Sequence, residues 1–304
     1  TPIKSSAASD VYKRQNLYIL SLILFFASAF VACSEEDLNP KSIFDDELET
    51  EKNELDNWLE KNYLYPYNLD FKYRMEDIES ELGKNLVPID YDLAIQMARI
   101  VKHVWFEAYD ETGGINFTRQ FAPKIIHLIG SYQYNPNGTY TLGYAEGGLK
   151  ITLVAGNWLD PTNIPFMNKT YFQTMHHEFA HILHQTKDYP VEYNTLSEGY
   201  YSPSGWNNRE KISQYAPYGF VTAYGSSQPV EDIAEVTACY LTWTQAEWDA
   251  LKEGTKLDVD GNPVKGGWDI IQKKIDIVKN YMKDSYGIDM DKLRDAIDLS
   301  LIHI

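Results

Sequence analysis

Residues 170–187 read TYFQTMHHEFAHILHQTK. No Pro or Gly interrupts this stretch, and Phe179, Ala180, Ile182 and Leu183 supply an apolar face, so it predicts a packed helix. Inside it lies His177-Glu178-Phe179-Ala180-His181, an HExxH pattern. Residues four apart on a helix sit one turn apart on the same face, so the two imidazoles converge on a single ion. Glu178, next to the first of them, is placed to act as general base on water at that ion. Zinc is the expected cofactor, bound by His177 and His181.

Zinc also needs a third protein ligand and an open position. The extended form HExxHxxGxxH would put Gly at 184 and His at 187, but this chain has His184 and Lys187 there. That class is excluded. His184 shares the helix face, yet three histidines of one straight helix do not readily close around one ion, so it reads as a packed or supporting side chain. His176 points elsewhere and reads as structural. A Glu from a second helix is the better source, and Gln228-Pro229-Val230-Glu231-Asp232-Ile233-Ala234-Glu235-Val236-Thr237-Ala238-Cys239 offers it. Pro229 suits a first helical turn, and Ala234 and Ala238 permit close approach of another helix. Glu231, 50 residues beyond His181, is the expected third ligand, with Asp232 and Glu235 as alternatives. Glu235, one turn on, can orient a ligand His through its other ring nitrogen.

Working outward, the chain has 304 residues, 44% of them hydrophobic and 23% charged, which suits one globular domain or at most two. Its net charge of -17 repels phosphate backbones and argues against nucleic acid as a partner. Cys33 and Cys239 are its two cysteines. They cannot make a disulfide framework or a cysteine quartet, which leaves His and carboxylates for any metal. Cys239, beyond Glu235, reads as a small buried residue.

Helical patterns are expected over 46–62, 91–109, 170–187, 208–216, 229–243, 245–253 and 267–284. Residues 63–75 read as extended. Three β-type runs, 124–134, 139–145 and 149–155, lie between, the first two joined by the turn Asn135-Pro136-Asn137-Gly138. This order predicts an α+β domain with a small mixed sheet over the HExxH helix and a helical lower half. The Lys150–Val154 run is the expected edge strand against which an extended peptide would pair.

The N-terminus has its own signature. Leu17 to Ala32 is an uncharged run of 16 residues, too short to span a bilayer and suited to the apolar part of a secretory signal. It ends in Phe30-Val31-Ala32-Cys33, which resembles a lipobox with Phe where Leu is usual. That resemblance implies cleavage before Cys33 and lipidation of its thiol. Ser34-Glu35-Glu36-Asp37 resembles the acidic tag of surface-exposed outer-membrane lipoproteins. Residues 5–15 and 299–304 resemble translated sequencing-adapter read-through. The expected organisation is a non-native extension (1–15), a lipoprotein signal (16–33), an acidic tether (34–45), a single domain that carries HExxH (46–298) and a non-native tail (299–304).

Taken together, Pro66-Tyr67-Asn68-Leu69-Asp70-Phe71-Lys72-Tyr73-Arg74, His177 to Gln185 and Glu231-Asp232-Ile233-Ala234-Glu235 resemble gluzincin metallopeptidases. More narrowly they resemble the zinc-binding metallopeptidase family of outer-membrane lipoproteins, also called substrate import-associated zinc metallohydrolases. The resemblance implies a zincin-like fold, a peptide or protein substrate, outer-membrane anchoring through Cys33 and an association with nutrient-importer components. It is also similar to lethal-factor-like domains, where a Tyr seven residues before the ligand Glu assists catalysis. That spacing lands on Tyr224. A rival expectation is a binding lipoprotein of a glycan or peptide import system with a catalytically silent zinc site. Retention of Glu178 favours the hydrolase, because a structural zinc needs no general base.

Overall fold

The computed structural model describes residues 51–75, 83–135, 140–146 and 148–302. The apolar signal, Cys33, the acidic tether and the Pro136–Gly138 turn lie outside the described residues. Helix α1 (Glu54–Leu59) starts at a reciprocal cap between Asn53 and Asp56 and buries Leu55 and Leu59. A wider π turn (Glu60–Leu64) and one short turn (Tyr65–Tyr67) follow, so only Asp70–Lys72 of the extended stretch expected over 63–75 is a strand, β1. Helix α2 (Tyr91–Val101) is capped by the Asp90 carboxylate, which accepts the Asp92 and Leu93 amides. Its buried face of Ala94, Met97, Ala98 and Val101 keeps helical spacing. A π turn (Lys102–Glu107) carries it into α3 (Ala108–Gly113), and α4 (Ile115–Phe121) restarts after Gly114, whose φ of 80° breaks the run.

Strands β2 (Ile125–Leu128), β5 (Gly143–Glu146) and β6 (Lys150–Leu153) complete a four-stranded sheet in the order β1-β2-β6-β5. The two-residue strands β3 (Gln133–Tyr134) and β4 (Tyr140–Thr141) pair separately. β1, β2 and β6 run parallel, and β5 runs antiparallel to β6. The expected edge strand is therefore corrected: Lys150–Leu153 is interior, paired on both sides and buried at every residue, and among the described residues β1 and β5 are the outer strands of this sheet. Gly143 lets β5 come down on the helix beneath it. A Cβ there would sit 2.5 Å from the Thr174 methyl and 2.8 Å from the Thr152 carbonyl.

That helix is α5 (Gln173–Thr186), which continues from Ile164–Met167 through a π turn at Asn168–Phe172. Phe179, the third residue of HExxH, faces away from the imidazoles into an aromatic core, edge-on to Trp105 at 5.5 Å and to Tyr109 at 5.0 Å. Helices α6 (Pro229–Thr242), α7 (Gln245–Gly254), α8 (Gly267–Tyr286) and α9 (Met290–Leu301) form the lower half. α9 extends past 298 to Leu301. Between α5 and α6 the chain winds through single 3-10 turns, so the helix expected over 208–216 is replaced by Ile212–Gln214 and Ala216–Tyr218. Pro217 and the left-handed Gly219 (φ 88°) stop any longer helix there. The fold is α+β, a small mixed sheet over the HExxH helix with helices below, and Asn53–Ile304 forms one compact unit.

Candidate metal centre

α5 and α6 pack face to face, which follows from their small buried contacts: Ala180 on one, Ala234 and Ala238 on the other. The crossing brings three side chains to one point. His177 Nε2 lies 3.0 Å from His181 Nε2, and each nitrogen lies 3.1 Å from Glu231 Oε2. With each ring's Nδ1 protonated, both Nε2 atoms would turn a lone pair to this point, and the ring partners suit that tautomer. His177 Nδ1 is 2.7 Å from Glu235 Oε1, so it carries the proton toward that carboxylate. His181 Nδ1 is 2.7 Å from His184 Nε2. Burial, then the charge of His181, pushes His184 down to about 4, so it is neutral and its Nε2 is able to accept from His181 Nδ1.

These three donor atoms form a nearly equilateral triangle, an arrangement that is repulsive unless a metal ion, or in its place a proton on His177 Nε2, sits among them. The edge of a zinc tetrahedron with ~2.05 Å bonds is roughly 3.3 Å, close to the observed spacing. His177, His181 and Glu231 form a group that could hold a metal ion, and they fit zinc in number, type and openness. Of the other carboxylates weighed on α6, Glu235 supports the ring of His177 and Asp232 turns away. Asp232 is fully buried, 2.5 Å from Lys274 Nζ and 2.7 Å from the Tyr201 hydroxyl.

The supporting contacts run further. Glu235 Oε2 accepts the Thr222 hydroxyl at 2.6 Å, with Gln173 Nε2 at 3.5 Å. Gln228 Nε2 donates to Glu231 Oε1 at 3.3 Å. Sequence spacing could have found Gln173, one turn before His177. Nothing local marks Thr222. Glu178 is 9% exposed and faces a cavity of about 460 Å³ beside the triangle. Burial raises its pKa, opposed by His177, His181 and the Ala145 amide of β5. Tyr224 lines the same cavity, its ring 5.7 Å from His177 and 4.9 Å from Trp206. Burial and then Glu231 raise the Tyr224 pKa, which keeps its hydroxyl a donor. His176 is buried on the opposite side, beside the Tyr109 hydroxyl at 3.3 Å, and burial holds it down at about 3. Cys239 is fully buried in the core.

Known proteins similar to this chain carry a zinc-binding description. A solved structure of a putative zinc-binding metallo-peptidase from Bacteroides caccae ATCC 43185 shares 56% identity with this chain, with a TM-score of 0.70. The match covers 83% of this chain and 93% of that one. No curated protein matches. The family model described as putative zinc-binding metallo-peptidase matches residues 47–291, and the chain belongs to that family.

Proposed function

We propose that the protein is a zinc-dependent peptidase of the bacterial envelope. The observation that carries this reading is the placement of Glu178, a buried carboxylate of raised pKa, at the wall of an open cavity beside a three-donor metal site. His177, His181 and Glu231 would hold the ion, which when bound supplies Lewis-acid chemistry that activates water and polarises a carbonyl. Glu178 takes the proton of the attacking water and passes it to the leaving amine, a role that its raised pKa suits. The Tyr224 hydroxyl donates to the oxyanion that develops on the peptide carbonyl. Glu235 keeps His177 in the tautomer that exposes Nε2. β5 is an outer strand whose Gly143 lines the cavity, and an extended peptide would lie along it.

The experiment is metal analysis of the purified protein together with digestion of a peptide library. Glu178→Gln preserves size and cannot accept the proton, so zinc content should stay and turnover should fall by about 10²–10⁴ or more. Cleavage by that variant at the parental rate would rule out the mechanism.

Location is part of the same proposal. Signal cleavage and lipidation at Cys33 would tether the domain to the outer membrane, facing outward beside nutrient-importer components. Cys33→Ala should then move the protein from the membrane fraction to the soluble one, and unchanged fractionation would refute lipidation.

A further inference from the structure

The cavity beside the metal site extends along α5, away from His181. Its lining includes Lys169, Gln173 and His177, spaced four apart on one side of the continuous helix. The lining also includes Tyr140 to Gly143, the approach to the outer strand β5. Lys169 is the one Lys or Arg among the lining residues. It is exposed and, among the described residues, makes no hydrogen bond or ion pair. The chain carries 44 acidic residues against 27 Lys and Arg, so this is not for want of partners. The carboxylates of the cavity are already engaged. Glu235 is held by His177 and Thr222, and Glu178 by the Ala145 amide and the two imidazoles. The neighbouring Lys84 is also committed, to the Tyr134 carbonyl and the Asn135 side chain. One ammonium without a partner among the described residues therefore lines the cleft, two turns of helix from His177.

We propose that Lys169 is a specificity-determining residue that takes a carboxylate of the bound peptide. This inference rests on the peptidase reading of the cleft. Lys169 precedes His177 by eight helix positions, about 12 Å along the axis at an α-helical rise. An extended peptide advances about 3.3 Å per residue. Allowing for the reach of the lysine side chain, the carboxylate lies about two to four residues from the bond that is cut. It is either the free C-terminus or an Asp or Glu side chain at that distance. The same ammonium repels a Lys or Arg of the substrate there.

The test separates recognition from turnover. Zinc-loaded full-length protein with Glu178→Gln is mixed with a random octapeptide library in free-acid and C-terminally amidated forms, and retained peptides are identified by mass spectrometry. Carboxylate-bearing peptides should be retained about fivefold over those without, as for a partly exposed ion pair. Adding Lys169→Met should abolish the preference, Lys169→Glu should turn it toward Lys and Arg peptides, and Lys169→Arg should keep it. Loss of the preference on amidation assigns the C-terminus, and its persistence in acid-containing amidated peptides assigns the side chain. If Glu178→Gln shows no preference, or if Lys169→Met and Lys169→Glu leave it unchanged, the inference is overturned. If the preference depends on Lys169 while the parent chain cuts no peptide, the carboxylate site stands and the peptidase reading falls.

Discussion

Tyr224 divides its contacts between ring and hydroxyl. The ring packs against Trp206 and His177, and the hydroxyl faces the Glu231 carboxylate. Phe at this position keeps the packing and removes only the donor. If that donor serves the transition state, Tyr224→Phe should lower kcat by about 10²–10³ with little change in KM. Its melting temperature should stay close to that of the parent. Steady-state kinetics on a cleaved library peptide checks this, and a rise in KM at constant kcat would assign Tyr224 to substrate binding instead. The side chain that most constrains the metal geometry is less conspicuous. His184 Nε2 lies 2.7 Å from His181 Nδ1, and by accepting its proton it would leave Nε2 as the lone pair of His181 that faces the site.

α6 must hold Glu231 in place, and its first turn is pinned from behind by a buried charge pair. Asp232 and Lys274 of α8 are both fully buried, and Lys274 also donates to Ser197 Oγ at 2.7 Å and to the Gly219 carbonyl at 2.8 Å. Removing one partner leaves the other charge in the core, so Lys274→Met should cost about 3–5 kcal/mol in urea unfolding. Adding Asp232→Leu should return much of that loss, and a double variant no more stable than the single would contradict the pairing. This pair was not legible in the sequence, because its partners lie 42 residues apart with nothing periodic to link them. What was legible depended on short spacing. HExxH placed two imidazoles one turn apart, and Glu231 with Glu235 marked one face of α6. The β edge was misassigned because strand order is not a local property: 139–145 and 149–155 look alike as short runs, and only pairing to β2 shows which is interior. α4 and α9 were missed for other reasons. Gly114 masks the start of α4, and α9 overlaps the tail set aside as non-native, although Asp289 caps it in ordinary fashion.

Folding and metal loading are linked through protons across the whole domain. In the metal-free protein burial would push His177 down, but hydrogen bonds to Glu231 and Glu235 prevail and raise it to about 10. The same contacts hold Glu231 below the usual carboxylate range, against the opposing effect of its burial. The signs follow. A histidine raised in the folded state contributes stability that is complete below its ordinary value of about 6.5 and is lost as pH rises toward about 10. A lowered glutamate contributes stability that is complete above its ordinary value of about 4.3 and is lost on acidification. This site therefore favours the metal-free fold most between about pH 4.3 and 6.5. Zinc reverses the upper half of that profile, because it needs the nitrogen that the proton occupies. Each unit of pH from about 6.5 toward 10 should raise apparent zinc affinity roughly tenfold, and binding near pH 8 should release about one proton per ion. Calorimetric titration in buffers of different ionisation enthalpy measures that proton directly. The stabilisation by zinc, read as the gap in melting temperature between loaded and chelated protein, should widen from pH 6.5 to 9. A gap that narrows over this range, with no proton released, would show that the ion binds away from His177.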